Sequence, residues 1–474
     1  MGSEMCIRDR LNIEFMNQTR LNSPPKAQGN LFLGNLFQMK DEGVHFYPRM
    51  ARLYGDAITA RIGWKSFYLF FHPDHIKEVL QDKSDIYIKG DQYNQLRHLM
   101  GTGLLTSEGK DWEKQRRMLN PIFGKNGLDI LLVQIKKASE QFVARLEVEQ
   151  ELDWSRKMFD FALEVAVTSF FGSSLEPQKM DQMAHDMHIC MRFVSRRMTN
   201  LINVPLSFPL QEHVEFKSAL KRVKTEIEKL YDNKVQNKGR DSKDMLDLLI
   251  AAEDEDKHNL SREEVFDQVM SFLIAGHETT AITMSWFYYL LAKKPEYQER
   301  LIKELESGDY KFETSNELGR YPFLEAIINE TMRLYPAGWV IARNITEDNS
   351  VGQWNVKKGQ VLAVCPYVAH RDPRWWKNPD DFMPERFLDS EAIKNLPRGA
   401  FVPFSVGKRN CIGSRFSLME ISVFALEFFK HFRMTTMQKE VGVKGYVTLK
   451  TDRPVRLTCL LYTSPSPRDL STSR

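Results

Sequence analysis

One cysteine of this chain sits where thiol chemistry is favoured. The stretch Phe404-Ser-Val-Gly407-Lys-Arg409-Asn-Cys411-Ile-Gly413 sets Cys411 in a loop pinned by two glycines, beside a guanidinium and just ahead of an apolar helical pattern over 415–432. A thiolate there gains from the helix N-terminus, from backbone N–H groups and from the nearby positive charge. Gly407 and Gly413 allow backbone conformations, and a close approach to a flat ligand, that a Cβ would block. A second group is Ala275-Gly276-His277-Glu278-Thr279-Thr280, two small residues followed by an acid and hydroxyls. A mid-helix glycine costs about 1 kcal/mol relative to alanine, so Gly276 calls for a reason. The two threonines have a bland alternative, bonding back to carbonyls one turn earlier. Glu330 and Arg333 stand one turn apart on a helix face, and so do Trp112 and Arg116.

The elements that must carry these residues are mostly helical. Ser261-Arg-Glu-Glu264 is a capping box opening a pattern that runs to Lys294, before Pro295. At about 1.5 Å per residue that helix is roughly 50 Å long, and its centre, apolar nearly all round, must be buried. Further helices are expected over 324–335, over 110–119 up to Pro121, and through most of 130–252, with breaks near Pro205 and Pro209. Residues 56–71 alternate around Gly63-Trp64-Lys65-Ser66, a hairpin signal, and Pro73 opens a helix with Ile76, Val79 and Leu80 at helical spacing. The stretch 87–105 reads as irregular, and short strands are expected at 361–364 and around 446–449. The fold class is mainly α with minor β sheets, in one large helical domain over 11–459.

Composition narrows the function. Charged residues are 27% and the net charge is +3, which gives no ground for nucleic-acid binding. No run of about eighteen uncharged apolar residues exists, so no transmembrane helix is expected, and residues 269–292 carry His277 and Glu278 at their centre. The first twenty residues lack the apolar core of a signal peptide. The five cysteines are scattered, which points to a reducing, cytoplasmic setting and not to a disulfide framework. Segments 1–10 and 460–474 resemble translated adapter sequence, and both are set aside as a non-native leader and tail.

The Cys411 loop resembles the haem-binding loop of the cytochrome P-450 family, and the likeness extends over most of 24–458, closest in flavour to soluble bacterial members. Random occurrence of its five fixed positions is on the order of once in ten thousand. The resemblance implies haem b, with Cys411 as axial iron ligand, lodged between the long central helix and the Cys-loop helix. Phe404, Gly407 and Gly413 shape the loop. Ala275 and Gly276 give room for dioxygen, Thr279 hydrogen-bonds the bound oxygen, and Glu278 helps relay protons. Trp112, Arg116, Arg343 and Arg409 match propionate-binding positions. Arg386, in Pro384-Glu385-Arg386-Phe387, completes a buried structural cluster with Glu330 and Arg333. Leu105, Gly338 and Val340 match positions that line the haem pocket.

The implied activity is a monooxygenase that activates dioxygen at the Cys-ligated iron and hydroxylates an apolar substrate, a fatty acid or terpenoid. Nothing after Cys411 resembles a reductase, so electrons are expected from a separate ferredoxin or flavodoxin with its reductase, docking near Lys114, Arg117, Lys125 and Lys408. A monomer is expected. A peroxide-using or rearranging haem-thiolate enzyme and a non-catalytic haem sensor are the rival readings; the intact Glu278-Thr279 pair and the lack of an appended output module weigh against them. Met180, Met183, Met187 and Met191 form a helical stripe that fits either a mobile apolar lid or a plain core.

Overall fold

The computed structural model describes residues 23–90, 93–172, 175–200, 203–236, 244–254 and 257–462. The segment read as a leader lies outside them, as does most of the tail. The strand Arg456–Leu461 runs two residues into the latter, with Leu460 and Leu461 paired to Arg433 and Phe432. The chain falls into two compact units, each with its own apolar core. Among the described residues no helix is long and apolar enough to cross a membrane.

The smaller unit runs to Gly90 and adds Val340–Pro379 and Leu396–Asn410. Its five-stranded sheet has the order Ala57–Ile62, Lys65–Phe70, Val361–Val364, Ile341–Ile345, Tyr87–Lys89. The first two strands form the expected hairpin, with Ile62 opposite Lys65. Only the pairing of Lys65–Phe70 with Val361–Val364 is parallel. Tyr68, Phe70, Leu362 and Val364 pack with Ile76, Val79 and Leu80 from the helical turns after Pro73 and with Val402 and Val406 from the loop that leads to Cys411.

The larger unit, Asp91–Trp339 with Asp380–Asn395 and the chain from Cys411 on, is helical. Its axis is the helix Arg262–Lys293, opened by the expected capping box: Ser261 Oγ accepts from Glu264 N, and the Glu264 carboxylate accepts from Ser261 N. An aromatic layer ties this helix to its neighbours. Tyr288 meets Trp154 of the helix Trp154–Phe171 at 5.1 Å between ring centroids and Phe428 of the Cys-loop helix Ser414–His431 at the same distance. Phe161 of the first of these helices and Phe424 of the second meet at 4.1 Å, their rings tilted by 38°. Such pairs add to the burial of large rings, and they fix the two chemistry-bearing helices against each other.

Two expectations differ from what is found. The stretch 87–105 contains the helix Tyr93–Met100, which buries Leu96, Leu99 and Met100 on one face; the glycines at 101 and 103 end it and do not break it. The strand expected around 446–449 is the turn of a hairpin, Val443–Gly445 against Leu449–Thr451, closed by Tyr446 N donating to Thr448 O.

Candidate functional site

Cys411 lies three residues before the first helical residue of Ser414–His431, whose N-cap is Gly413. It is exposed, whereas Cys190, Cys365 and Cys459 are buried. Burial nonetheless pushes the thiol up from its usual range, and the Gly413 N–H and the Arg116 guanidinium draw it back. A side chain shows both properties when it lines a concave space walled by protein. The sequence implied a net gain for the thiolate; burial outweighs that gain here, and within this unit the helping cation is Arg116. Arg116 in turn is lowered by burial and raised by Cys411. Trp112, one turn earlier on the helix Gly109–Leu119, is buried in the main core with Met118 and Leu119.

The long helix faces its surroundings unevenly. Ser271, Leu273, Ile274, His277, Glu278 and Thr280 are buried, while Phe272, Ala275, Gly276 and Thr279 are half-buried and share one face at helical spacing. A Cβ on Gly276 would meet nothing within 4 Å, so the glycine is not dictated by a packed neighbour. One residue past Thr279, Thr280 Oγ1 lies 3.0 Å from Ser417 Oγ of the Cys-loop helix, which brings the two chemistry-bearing helices into contact. Thr279 Oγ1 donates to Ala275 O at 2.7 Å, so it takes the bland option of back-bonding in this structure. His277 is buried, its Nε2 lies 2.9 Å from Phe159 O, and burial pulls the imidazole down to about 4.

Glu278 is only 4% exposed, yet it is ionically paired. Lys450 Nζ lies 2.5 Å from its Oε1, and Thr448 Oγ1 donates to the same oxygen at 2.8 Å. Neither partner was foreseen, because both stand about 170 residues away on a hairpin with no local signal.

Glu330, Arg333 and Arg386 come together. Arg333 Nε and Nη2 donate to the two Glu330 oxygens at 2.7 and 2.8 Å, Met383 N donates at 2.9 Å and Arg386 Nε at 3.2 Å. Arg333 also reaches Asp381 O. Both Glu330 and Arg333 are fully buried.

Leu105 packs against the main core, and a Cβ on Gly338 would meet nothing within 4 Å. Met183 and Met187 belong to that core, with Met180 and Met191 against it. Arg343, Val340, Phe404, Gly407 and Arg409 belong to the smaller unit. Arg343 is buried in the strand Ile341–Ile345, and its Nη1 donates to Ala342 O. Gly407 has φ 80°, and a Cβ there would fall 2.6 Å from Leu80 O, so the close approach it permits is to its own unit's backbone. Of the expected docking cations, Lys408 pairs with Asp85 and Lys114 with Asp254.

Among the described residues no three His, Cys, Asp or Glu side chains gather around a common point where a metal would sit. A haem brings most of its iron's ligands itself and needs from the protein a thiolate, a cation for its propionates and a helix face with room for a flat ring. Cys411, Arg116 and the Phe272–Ala275–Gly276–Thr279 face fit those needs.

Comparison with known proteins agrees. The family model described as cytochrome P450 matches residues 24–449. Cytochrome P450 132 of Mycobacterium bovis is 30% identical over 404 residues, covering 81% of this chain and 85% of that protein. Human cytochrome P450 4V2 is 28% identical over 466 residues, 90% of this chain and 87% of the relative. Among solved structures, the haem domain of cytochrome P450DA superposes with a TM-score of 0.84 at 22% identity, over 94% of this chain and 98% of that one.

Proposed function

This chain belongs to the cytochrome P450 family, haem-thiolate monooxygenases with haem b as cofactor, and from that premise we propose that it hydroxylates an apolar organic substrate, a fatty acid or terpenoid. When bound, the haem supplies the activation of dioxygen for insertion into a C–H bond, and thiolate ligation favours that chemistry. The remaining work falls to the chain's own groups. Cys411 Sγ holds the iron, with the Gly413 N–H and Arg116 moderating its charge. Trp112 and Arg116 bind the propionates. Ala275 and Gly276 leave room on the long helix, and Glu278 with Thr279 supplies protons. Leu105 and Gly338 line the substrate space. Glu330, Arg333 and Arg386 are structural.

The observation that carries the reading is the juxtaposition, within the larger unit, of an accessible thiol at a helix N-terminus and a long helix with one open face. Electrons come from a separate ferredoxin or flavodoxin type of donor with its reductase. The free, buried Cys190, Cys365 and Cys459 suit a reducing, cytoplasmic setting, and the chain acts as a monomer. The test is product analysis with isotopically heavy dioxygen, a ferredoxin with its reductase, and a panel of fatty acids and terpenoids. One heavy oxygen per product is expected. Product formed only with peroxide, and none with reductant and dioxygen, would contradict the reading.

A further inference from the structure

Arg197 is a buried cation without an acid. It lies in the last turn of the helix Pro177–Thr199, is only 8% exposed, and forms no ion pair among the described residues. Asp186, Asp244 and Glu330 of the same unit are also buried, yet each holds an opposite charge at 2.5–2.7 Å. The acceptors of Arg197 are neutral: Nε donates to Gln95 Oε1 at 2.7 Å and Nη1 to Val204 O at 2.8 Å. Nη2 makes no hydrogen bond among the described residues. The guanidinium stands 5.5 Å from the centroid of the Phe193 ring, which stacks on Phe216 at 4.3 Å, so its place is fixed from three sides. Burial, foremost, lowers it; Glu212 raises it, but that carboxylate pairs with Arg196 at 3.8 Å. The negative end of the helix favours a cation there, a gain that is small beside the cost of taking an ion out of water.

The surroundings are apolar and lead inward. Val204 and Phe208, just past the helix end, are exposed although apolar. Gln95 belongs to the helix Tyr93–Met100, and the chain goes straight on to Leu105. Arg97 Nη2 holds Thr106 O at 3.1 Å, and Leu104 N donates to Gln268 Oε1 of the long helix at 3.0 Å. One braced stretch therefore joins the partner of Arg197 to a residue that lines the substrate space.

We propose that Arg197 anchors the carboxylate of a long-chain fatty acid, whose apolar chain then runs along the 93–105 stretch toward Leu105. The inference rests on the proposed hydroxylation of an apolar substrate and narrows its class. An ionised carboxylate supplies the missing counter-charge, and Nη2 is the donor left to meet it. A neutral terpenoid would leave the cation unpaired. A lipid head group held in a bilayer fits less well, because a guanidinium this buried is out of its reach.

The test uses the full haem-loaded chain, with dodecanoic acid and 1-dodecanol as probes of equal length. Binding is followed by calorimetry and by the spin-state change of the haem. The wild type should bind the acid more tightly than the alcohol. Arg197→Leu should weaken the acid about ten- to thirty-fold and leave the alcohol unchanged. Arg197→Lys, which keeps the charge and loses the fork, should weaken the acid by only a few-fold. Should Arg197→Leu fail to fold, that lysine variant still separates the acid from the alcohol. A wild type without preference for the acid, or equal losses for both probes in either variant, would overturn the proposal. Arginine-dependent binding of the acid with no hydroxylated product, given a ferredoxin, its reductase and dioxygen, would sink the hydroxylation reading and leave the anchor standing.

Discussion

Glu330 and Glu278 are both buried carboxylates on helices, and they are held in opposite ways. Glu330 is saturated: four donors from two arginines and a backbone N–H occupy both oxygens, and its main partner Arg333 is as buried as it is. Glu278 receives two donors on one oxygen, and its cation reaches solvent. A saturated cluster is costly to break because each partner is stranded without the others. A carboxylate held on one oxygen by a half-solvated cation can let go and return. The first arrangement suits a fixed joint, the second a group that moves protons.

The largest effect should come from breaking the joint. Glu330→Ala leaves the Arg333 guanidinium buried and unpaired, and should destabilise the protein by about 3–5 kcal/mol, read as a fall in the urea midpoint together with poor haem retention. The next concerns His277, the residue before Glu278. Its folded value of about 4 lies below the ordinary 6.5, so the unfolded chain binds the extra proton between those limits. Stability should therefore fall as pH drops from about 6.5 to about 4, by as much as about 3 kcal/mol, with no further loss from this group below that. Comparing pH-dependent unfolding of the wild type and His277→Leu isolates the contribution, and identical slopes would contradict it.

Glu278→Gln should separate the two carboxylates most cleanly. It should lower coupled turnover about a hundredfold while moving the thermal midpoint little, the reverse of Glu330→Ala. The smallest effect is Gly276→Ala. With nothing within 4 Å of the new Cβ, the helix should gain up to about 1 kcal/mol, while haem or dioxygen binding on that open face should weaken. Calorimetry beside a carbon monoxide titration would show the opposing signs, and a loss of stability would mean the face is closed.

How much of this was legible depended on range along the chain. The Cys411 loop, the capping box at Ser261 and the Glu330–Arg333 turn are local patterns, and each emerged where the spacing placed it. Arg386 was reachable through the family resemblance alone. Lys450 and Thr448 left no trace, because a partner on a distant hairpin produces no periodicity near Glu278. The helix Tyr93–Met100 was hidden by flanking glycines that mark its end. Gly407 was noted for the right property, a positive φ, but the neighbour that demands it, the Leu80 carbonyl, comes from tertiary packing. Whether Thr279 bonds back or turns outward could not be chosen from sequence, since both use the same hydroxyl.

The central claim is that Cys411 is the thiolate that holds the haem iron. The most direct measurement is the absorbance spectrum of the purified, haem-loaded protein, reduced and exposed to carbon monoxide, beside that of Cys411→His. A strongly red-shifted Soret band in the wild type, replaced by a histidine-type band in the variant, is the predicted result. A histidine-type band in the wild type, or a red-shifted band that survives the substitution, would contradict the assignment and the mechanism built on it.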